Sequence, residues 1–197
     1  MELIGRREQL ALLDEALRTA HAGEPVFVVL GGEAGIGKTY LMEHLAGRLE
    51  EAGVRVLRGS CVELGTEGLP LAPFSALLRD LIRQAGDGTP PGLTPSGLAP
   101  AGKELIALLP ESGGDLDLGY GGQARLFELF GALFERLGRE GTLALVIDDL
   151  HWSDRSTREL IGFLVRRLRS TRVLITMAYR QTCDAASTDP LPVPITG

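Results

Sequence analysis

The chain has 197 residues, 44% apolar and 23% charged, which is typical of a globular sequence forming one domain, or one domain and a fragment of a second. A formal net charge of −6 argues against a nucleic-acid reader, because binding to phosphate backbones requires a basic surface. No stretch reaches the roughly 18 uninterrupted apolar residues of a membrane span, and the N-terminus lacks the apolar core of a signal peptide, so we expect a cytoplasmic protein with no membrane partner.

The cysteines and lysines are few. Cys61 and Cys183 provide neither a disulfide framework nor the spacing of metal ligands, which indicates a reduced protein with two unremarkable thiols. Eighteen of the 20 basic residues are arginines, a bias that we attribute to a GC-rich genome. One of the two lysines, Lys38, falls in the motif that carries most of the functional argument.

Helical and extended segments alternate in the first half of the chain. Apolar residues at helical spacing predict a helix over residues 6–20, and a β-branched run over residues 25–31 predicts a strand buried on both faces. A helix that ends at Gly53 follows, then a strand over Val54–Arg58 and a helix over residues 72–84.

The second half begins with a change of composition. Residues 86–122 are rich in Gly, Pro, Asp and Thr and contain an apolar patch at Leu105–Leu109, which predicts a surface excursion with one short helix and mobile ends. The following elements are a helix over Leu126–Leu137, a strand over Thr142–Ile147, a helix capped by Ser153 or Asp154, and a strand over Arg172–Tyr179.

Buried-type strands joined by helices predict an α/β fold, in which a parallel sheet lies between two helical layers as a three-layer α/β/α sandwich. We expect the core to span residues 1–181 and an irregular tail to occupy residues 182–197.

The motif G-x-x-x-x-G-K-[ST] lies between the first predicted strand and its helix. Its residues are Gly32, Glu33, Ala34, Gly35, Ile36, Gly37, Lys38 and Thr39. The glycines allow the backbone to approach phosphate oxygens, and the amides of residues 35–39 would point inward at a helix N-terminus. Lys38 would contact the β- and γ-phosphates, and the Thr39 hydroxyl would bind Mg²⁺. The motif predicts a P-loop that binds a nucleoside triphosphate or diphosphate with Mg²⁺.

The alternative interpretation of this motif is a glycine-rich turn that binds nothing. If residues of this composition were arranged at random, on the order of 0.003 matches to the motif would be expected in a chain of this length. Requiring a strand before the motif and a helix after it lowers this number further. The nucleotide-binding interpretation is therefore favoured.

Two aspartates follow the third predicted strand. Asp148 would lie at the carboxyl end of a parallel strand, where such sheets bind ligands, and is placed to hold Mg²⁺. Asp149 would orient or deprotonate the attacking water. The alternative is structural, because aspartate is common after strands simply as a residue that favours turns. A P-loop upstream favours the catalytic interpretation.

Arg180 follows the fourth predicted strand directly. If that strand neighbours the acidic one, the guanidinium would face the γ-phosphate and could sense it. A solvated arginine at a strand end is the alternative.

Four segments together resemble the nucleotide-binding region of STAND-class AAA-type P-loop ATPases, nearest to the large ATP-binding LuxR-type transcription regulators of actinobacteria. The segments are Ile-Gly-Arg-Arg-Glu at 4–8, the P-loop at 32–39, Leu-Val-Ile-Asp-Asp-Leu-His-Trp-Ser-Asp at 145–154 and Thr-Met-Ala-Tyr-Arg at 176–180. The resemblance covers residues 2–181 and implies the sheet order 5-1-4-3-2 of a P-loop NTPase. It also implies that the bound nucleotide is ATP or ADP rather than GTP.

The resemblance also implies roles for residues outside the P-loop. Ile4, Gly5 and Arg6 correspond to a segment that packs against adenine, although an extra Arg7 precedes the glutamate. Trp152 is expected to cover the core and His151 to be a polar group near magnesium and water, neither of them catalytic. Tyr40 follows the P-loop where relatives often have a smaller or basic residue, so it is expected at the rim of the nucleotide pocket.

The resemblance implies a slowly hydrolysing ATP switch in a signal-responsive transcription regulator, because Asp149 is one methylene shorter than the usual glutamate. The fifth strand, lid and DNA-binding modules of such regulators are not in this sequence, so we expect an N-terminal fragment that does not read DNA and that self-associates or contacts regulatory domains. The alternatives are a work-performing ATPase, a small-molecule kinase and a nucleotide-responsive scaffold without turnover.

Overall fold

Four parallel strands form one sheet in the computed structural model, which describes residues 7–63, 70–86, 105–106, 109 and 122–180. The strands are β1 (Val26–Gly32), β2 (Arg55–Ser60), β3 (Leu143–Asp148) and β4 (Val173–Arg180), in the spatial order β1-β4-β3-β2. All three pairings are parallel. The predicted α/β class is confirmed, and these strands follow the expected order for strands 1 to 4.

Five helices and a short 3₁₀ turn connect and flank the strands in the described part of the chain. They are α1 (Arg7–His21), α2 (Lys38–Glu51), α3 (Ala72–Ala85), α4 (Gly122–Glu140), the turn Leu150–Trp152, and α5 (Arg155–Arg167). Of the two candidate caps for α5, the structure selects Asp154, whose side chain accepts a hydrogen bond from the Thr157 amide at 3.1 Å.

The sheet separates two apolar clusters, and the alternation of side chains along β3 shows how. Leu143, Leu145 and Ile147 pack into the cluster formed with α3, α4 and α5. Ala144 and Val146 pack into the opposite cluster, formed with α1 and α2. Because successive side chains of a strand point to opposite faces, β3 must be apolar at every position to serve both clusters. The predicted three layers are therefore present.

The first strand packs against both apolar clusters, Phe27 on one face and Val26, Val28 and Leu30 on the other, but it is less buried than predicted. Val29 is 38% exposed, and no residue of β1 is fully buried. In the described part of the chain β1 pairs only with β4 and forms one edge of the sheet. An apolar run identifies a strand but does not say whether both of its sides are covered.

The other edge of the sheet is covered by a helix. The Arg58 amide on β2 donates to Oδ2 of Asp80 at 2.9 Å, and Gln84 Nε2 donates to the Val56 carbonyl at 2.7 Å. Both partners belong to α3, so its side chains bind the backbone groups that an edge strand leaves unpaired. This arrangement hinders another chain from pairing with β2.

Helix α3 approaches β2 so closely that Gly59 has no room for a side chain. A Cβ at this position would lie 2.4 Å from the carbonyl oxygen of Pro73, a backbone atom that cannot rotate away. We expect Gly59→Ala to lower the free energy of unfolding by about 1–3 kcal/mol, measured by urea denaturation.

The matched control is Gly47→Ala, because a Cβ there meets no atom within 4 Å and Gly47 lies within α2. Alanine is the better helix former, so this variant should be as stable as the wild type or more stable. Equal stability of both variants would show that α3 does not pack on β2 as described.

The segment predicted as a surface excursion contributes to the core at two positions. Leu105 is fully buried and Leu109 is 7% exposed, and both pack with the cluster under α3 and α4. Leu105 and Leu109 of the predicted apolar patch therefore pack inward, whereas Ile106 is 38% exposed. Residues 87–104, 107–108 and 110–121 of the excursion, and the predicted tail, lie outside the described residues.

No helix in the described ranges is both long enough and apolar enough to cross a bilayer.

Candidate functional site

The sequence motifs meet at the carboxyl edge of the sheet. In the parallel register, Gly32 at the end of β1 is paired with Arg180 at the end of β4. On the neighbouring pair of strands, Ser60 is paired with Asp148. The P-loop, the acidic pair and the strand-end arginine therefore share one edge, which is where open α/β sheets bind their ligands.

The loop between β1 and α2 ends in a glycine whose conformation other residues rarely adopt. Gly37 has φ 88° and ψ 28° and precedes the first helical residue, Lys38. No side chain caps the start of this helix, so its first amides are free to bind an anion, and the helix dipole adds positive potential. The helix predicted to follow the P-loop is present and begins at Lys38.

The Lys38 side chain folds back over the loop. Its Nζ donates to the carbonyl oxygen of Gly32 at 2.7 Å and to that of Glu33 at 2.8 Å. An ammonium group has three protons, so one remains for another acceptor. The cation is thus held above the loop and in reach of an anion that enters it.

A cavity of about 660 Å³ lies between the P-loop and the ends of β3 and β4. Its lining residues are Ala34, Gly35, Gly37, Lys38, Thr39, Tyr40, Glu43, Glu63, Asp148, Asp149, His151, Trp152 and Arg180. Nine of the predicted site residues are among them.

The remaining predicted residues do not line this cavity. Gly32 and Glu33 instead supply the carbonyl oxygens that hold Lys38, and the side chain of Ile36 is half exposed. The predicted adenine contacts Ile4, Gly5 and Arg6 lie outside the described residues.

The two aspartates are oriented by a sharp turn of the backbone. Asp149 has φ 55° and ψ 38°, a left-handed conformation that aspartate tolerates better than most residues. Its amide donates to Oδ1 of Asp148 at 2.8 Å, which fixes the Asp148 carboxylate. The turn directs both side chains into the same cavity.

His151 and Trp152 belong to the site. Trp152 is 36% exposed and lines the cavity, so the expectation that it covers the core is wrong. The His151 ring lies 5.0 Å from the Trp152 ring and contacts Tyr179 edge-on at 6.4 Å, both between centroids. Burial lowers the pKa of His151, although Asp149 opposes the shift, so the imidazole is neutral at neutral pH.

The side chains around the cavity carry more negative than positive charge. Four carboxylates face one lysine and one arginine, a formal charge of −2 with His151 neutral. Cys61 is buried, and this burial raises the pKa of its thiol to about 12, with the negative charges of Asp154, Asp149 and Asp148 adding to the shift. Cys61 is therefore a neutral thiol and not a nucleophile.

Sequence reasoning missed Glu43 and Glu63 as lining residues. Glu43 lies one helical turn after Thr39, so helical periodicity could have placed it on the same side of α2. Glu63 comes three residues after the end of β2, whose neighbour β3 carries the acidic pair. The strand order implied by the resemblance, with β2 beside β3, could therefore have placed Glu63 near the acidic pair.

Within the described ranges, no group of three or more His, Cys, Asp or Glu side chains is arranged to hold a metal ion. The Thr39 hydroxyl and the Asp148 carboxylate, the two predicted ligands, both line the cavity and are oxygen donors of the kind that Mg²⁺ binds. Because Mg²⁺ is commonly bound by one or two protein groups with phosphate and water oxygens, this set suits a metal that arrives with a nucleotide.

The sequence matches the AAA ATPase domain family over residues 2–176. A comparison with curated proteins found no significant match. Among solved structures, the DnaA of Aquifex aeolicus bound to AMPPCP is 16% identical to this chain with a TM-score of 0.45. The aligned region covers 92% of this chain and 40% of the DnaA chain. PCH-2 of C. elegans is 15% identical with a TM-score of 0.43, and the aligned region covers 91% of this chain and 38% of the PCH-2 chain. The chain thus spans about two fifths of the length of these structures.

Proposed function

Because the chain belongs to the AAA ATPase domain family, we propose that it binds ATP with Mg²⁺ between β1 and α2 and hydrolyses it slowly, as the switch domain of a signal-responsive transcription regulator. One observation carries the nucleotide part of this proposal. Lys38 and Thr39 at the start of α2 line the same cavity as Asp148 and Asp149 from the end of β3. The groups proposed to bind phosphate and the groups proposed to bind metal thus come from two separate parts of the chain.

Each group has a distinct task in the proposed reaction. The free amides at the start of α2 and the Lys38 ammonium bind the phosphates, and Thr39 and Asp148 would hold Mg²⁺, which neutralises phosphate charge when bound. Asp149 would orient a water for attack on the γ-phosphate, and Arg180 would contact that phosphate and stabilise its charge. Tyr40 lies at the rim, 44% exposed.

The negative charge of the lining favours the metal complex over the free nucleotide. A polyphosphate that enters a cavity of formal charge −2 is repelled unless a cation accompanies it. We therefore expect removal of Mg²⁺ by EDTA to weaken ATP binding at least about tenfold, or 1.4 kcal/mol.

Trp152 provides the measurement. It is the only tryptophan of the chain and lines the cavity, so its fluorescence should change as ATP is titrated with and without Mg²⁺. Calorimetry under the same conditions is the control. Equal affinity for ATP with and without Mg²⁺ would contradict the proposed role of the metal.

Turnover distinguishes the proposed switch from an ATPase that performs work and from a small-molecule kinase. A switch should hydrolyse ATP at below about one per minute, whereas tens per second would indicate an enzyme. The transcriptional role rests on the resemblance of four sequence segments to LuxR-type regulators. A longer protein containing this chain that binds nucleotide but controls no promoter would contradict that role while leaving nucleotide binding intact.

Self-association, or contact with regulatory domains of a longer protein, is also part of the proposal. Among the residues that the structure describes, β1 pairs only with β4, and this supports the proposal, since the unpaired side of a strand offers backbone groups to another chain. Sedimentation of the chain with and without nucleotide tests it, and a monomer at all concentrations would contradict self-association.

A further inference from the structure

A buried nitrogen at the edge of the cavity lacks a hydrogen bond. The His151 side chain is 16% exposed, and its Nδ1 is buried with no hydrogen-bond partner among the described residues. Buried polar atoms in folded proteins are nearly always hydrogen-bonded, because leaving one unpaired is costly. An unpaired nitrogen beside a ligand cavity therefore indicates a hydrogen bond that forms in another state of the site, such as the state with ligand bound.

The ring that carries this nitrogen is held in place. Trp152 packs against it on one side and Tyr179, on β4, meets it edge-on. The backbone is fixed as well, because the Trp152 amide donates to the Asp149 carbonyl at 2.9 Å and closes the 3₁₀ turn. The direction of Nδ1 is therefore set by the fold.

The nearest carboxylate lies just beyond hydrogen-bond distance. Oδ1 of Asp149 is 3.9 Å from Nδ1 of His151, so the gap must close by about 1 Å to form a hydrogen bond. The Asp149 side chain is 50% exposed, whereas Oδ1 of the preceding Asp148 already accepts a backbone hydrogen bond. Asp149 is thus the group that can move.

We infer that His151 is a positioning residue for Asp149: when ATP and Mg²⁺ bind, Asp149 turns to accept a hydrogen bond from Nδ1–H, and the carboxylate is then fixed toward the attacking water. This inference rests on the proposed function and gives a specific task to His151, which the resemblance placed only as a polar group near magnesium and water. The ring acts through Asp149 and does not touch the reacting atoms. A carboxylate held in one orientation positions a water molecule better than a freely rotating one.

Two substitutions separate hydrogen bonding from packing. In His151→Asn the amide nitrogen takes the place of Nδ1, whereas in His151→Gln it takes the place of Nε2. A hydrogen bond to a charged group is worth enough that its loss should lower kcat by about tenfold to a hundredfold. We expect this loss in the Gln variant and at least partial recovery in the Asn variant. Because the hydrogen bond forms when nucleotide binds, the affinity for ATP with Mg²⁺ should change in the same order, but by a smaller factor than kcat.

Equal activity of the Asn and Gln variants, with equal melting temperatures, would overturn the inference and leave the proposed function standing. If the wild-type chain binds no ATP, the proposed function fails and the inference fails with it. The binding titration and the kcat comparison therefore separate the two failures.

A direct readout does not depend on turnover. The chain has three histidines, so the imidazole ¹⁵N resonances of His151 can be assigned by comparison with the Gln variant. Addition of ATP and Mg²⁺ should shift the Nδ1 resonance in the wild type but much less in Asp149→Ala. An unchanged Nδ1 resonance at saturating nucleotide, or the same shift in Asp149→Ala, would overturn the inference.

Discussion

Replacing Lys38 with alanine is expected to weaken the binding of ATP with Mg²⁺ at least tenfold, because a charge-assisted contact to phosphate is worth about 1.5–3 kcal/mol. Nζ of Lys38 already lies over the loop, bound to two of its carbonyl oxygens. Removing the ammonium leaves the free amides at the start of α2 to bind the phosphates alone. Isothermal titration calorimetry measures the difference directly.

The matched control is Arg48→Ala, which removes one positive charge from the other end of the same helix. Arg48 lies in the last turn of α2 and forms an exposed ion pair with Asp14. Its loss should leave ATP affinity unchanged, because the first and last turns of α2 are roughly 15 Å apart. Wild-type affinity in Lys38→Ala, or an equal loss in both variants, would contradict the role given to Lys38.

Replacing Asp149 with asparagine is expected to lower kcat about a hundredfold or more while leaving ATP affinity nearly unchanged. The substitution keeps the shape of the side chain and removes the carboxylate that would orient or deprotonate the water, a role that contributes about 10²–10⁴ in rate. Single-turnover hydrolysis measures the rate, and the titration described for Lys38 measures the affinity.

Asp14→Asn is the corresponding control, since it makes the same chemical change at an exposed site on α1. It should hydrolyse ATP at the wild-type rate. If Asp149→Asn lost affinity and rate in equal proportion, Asp149 would be a binding residue, and the division of work between the two aspartates would be wrong.

The sequence was sufficient to predict the elements of the fold because their apolar periods are clear. The short continuous apolar run of β3 is typical of a strand buried on both faces, and the helical spacing of Leu126 to Leu137 is typical of an amphipathic helix. The P-loop was equally predictable, since its glycines and Lys38 act through the backbone between β1 and α2. The convergence of Asp148 and Arg180 on that loop followed from the implied strand order.

Features that depend on packing between distant segments were not predictable. The exposure of β1 depends on which strands pair with it, and the burial of Leu105 depends on where the chain crosses the helices. The orphaned Nδ1 of His151 arises from the left-handed turn at Asp149 together with the ring of Tyr179, which is contributed by another strand. No local pattern in the sequence specifies such a contact.

A crystal structure of the chain grown with ATP and Mg²⁺ tests the central claim most directly. The phosphates should lie against the amides of residues 35–39, with Nζ of Lys38 turned from the carbonyl oxygens of Gly32 and Glu33 toward the β- and γ-phosphates. A nucleotide bound elsewhere, with both lysine–carbonyl hydrogen bonds intact and the loop empty, would contradict it.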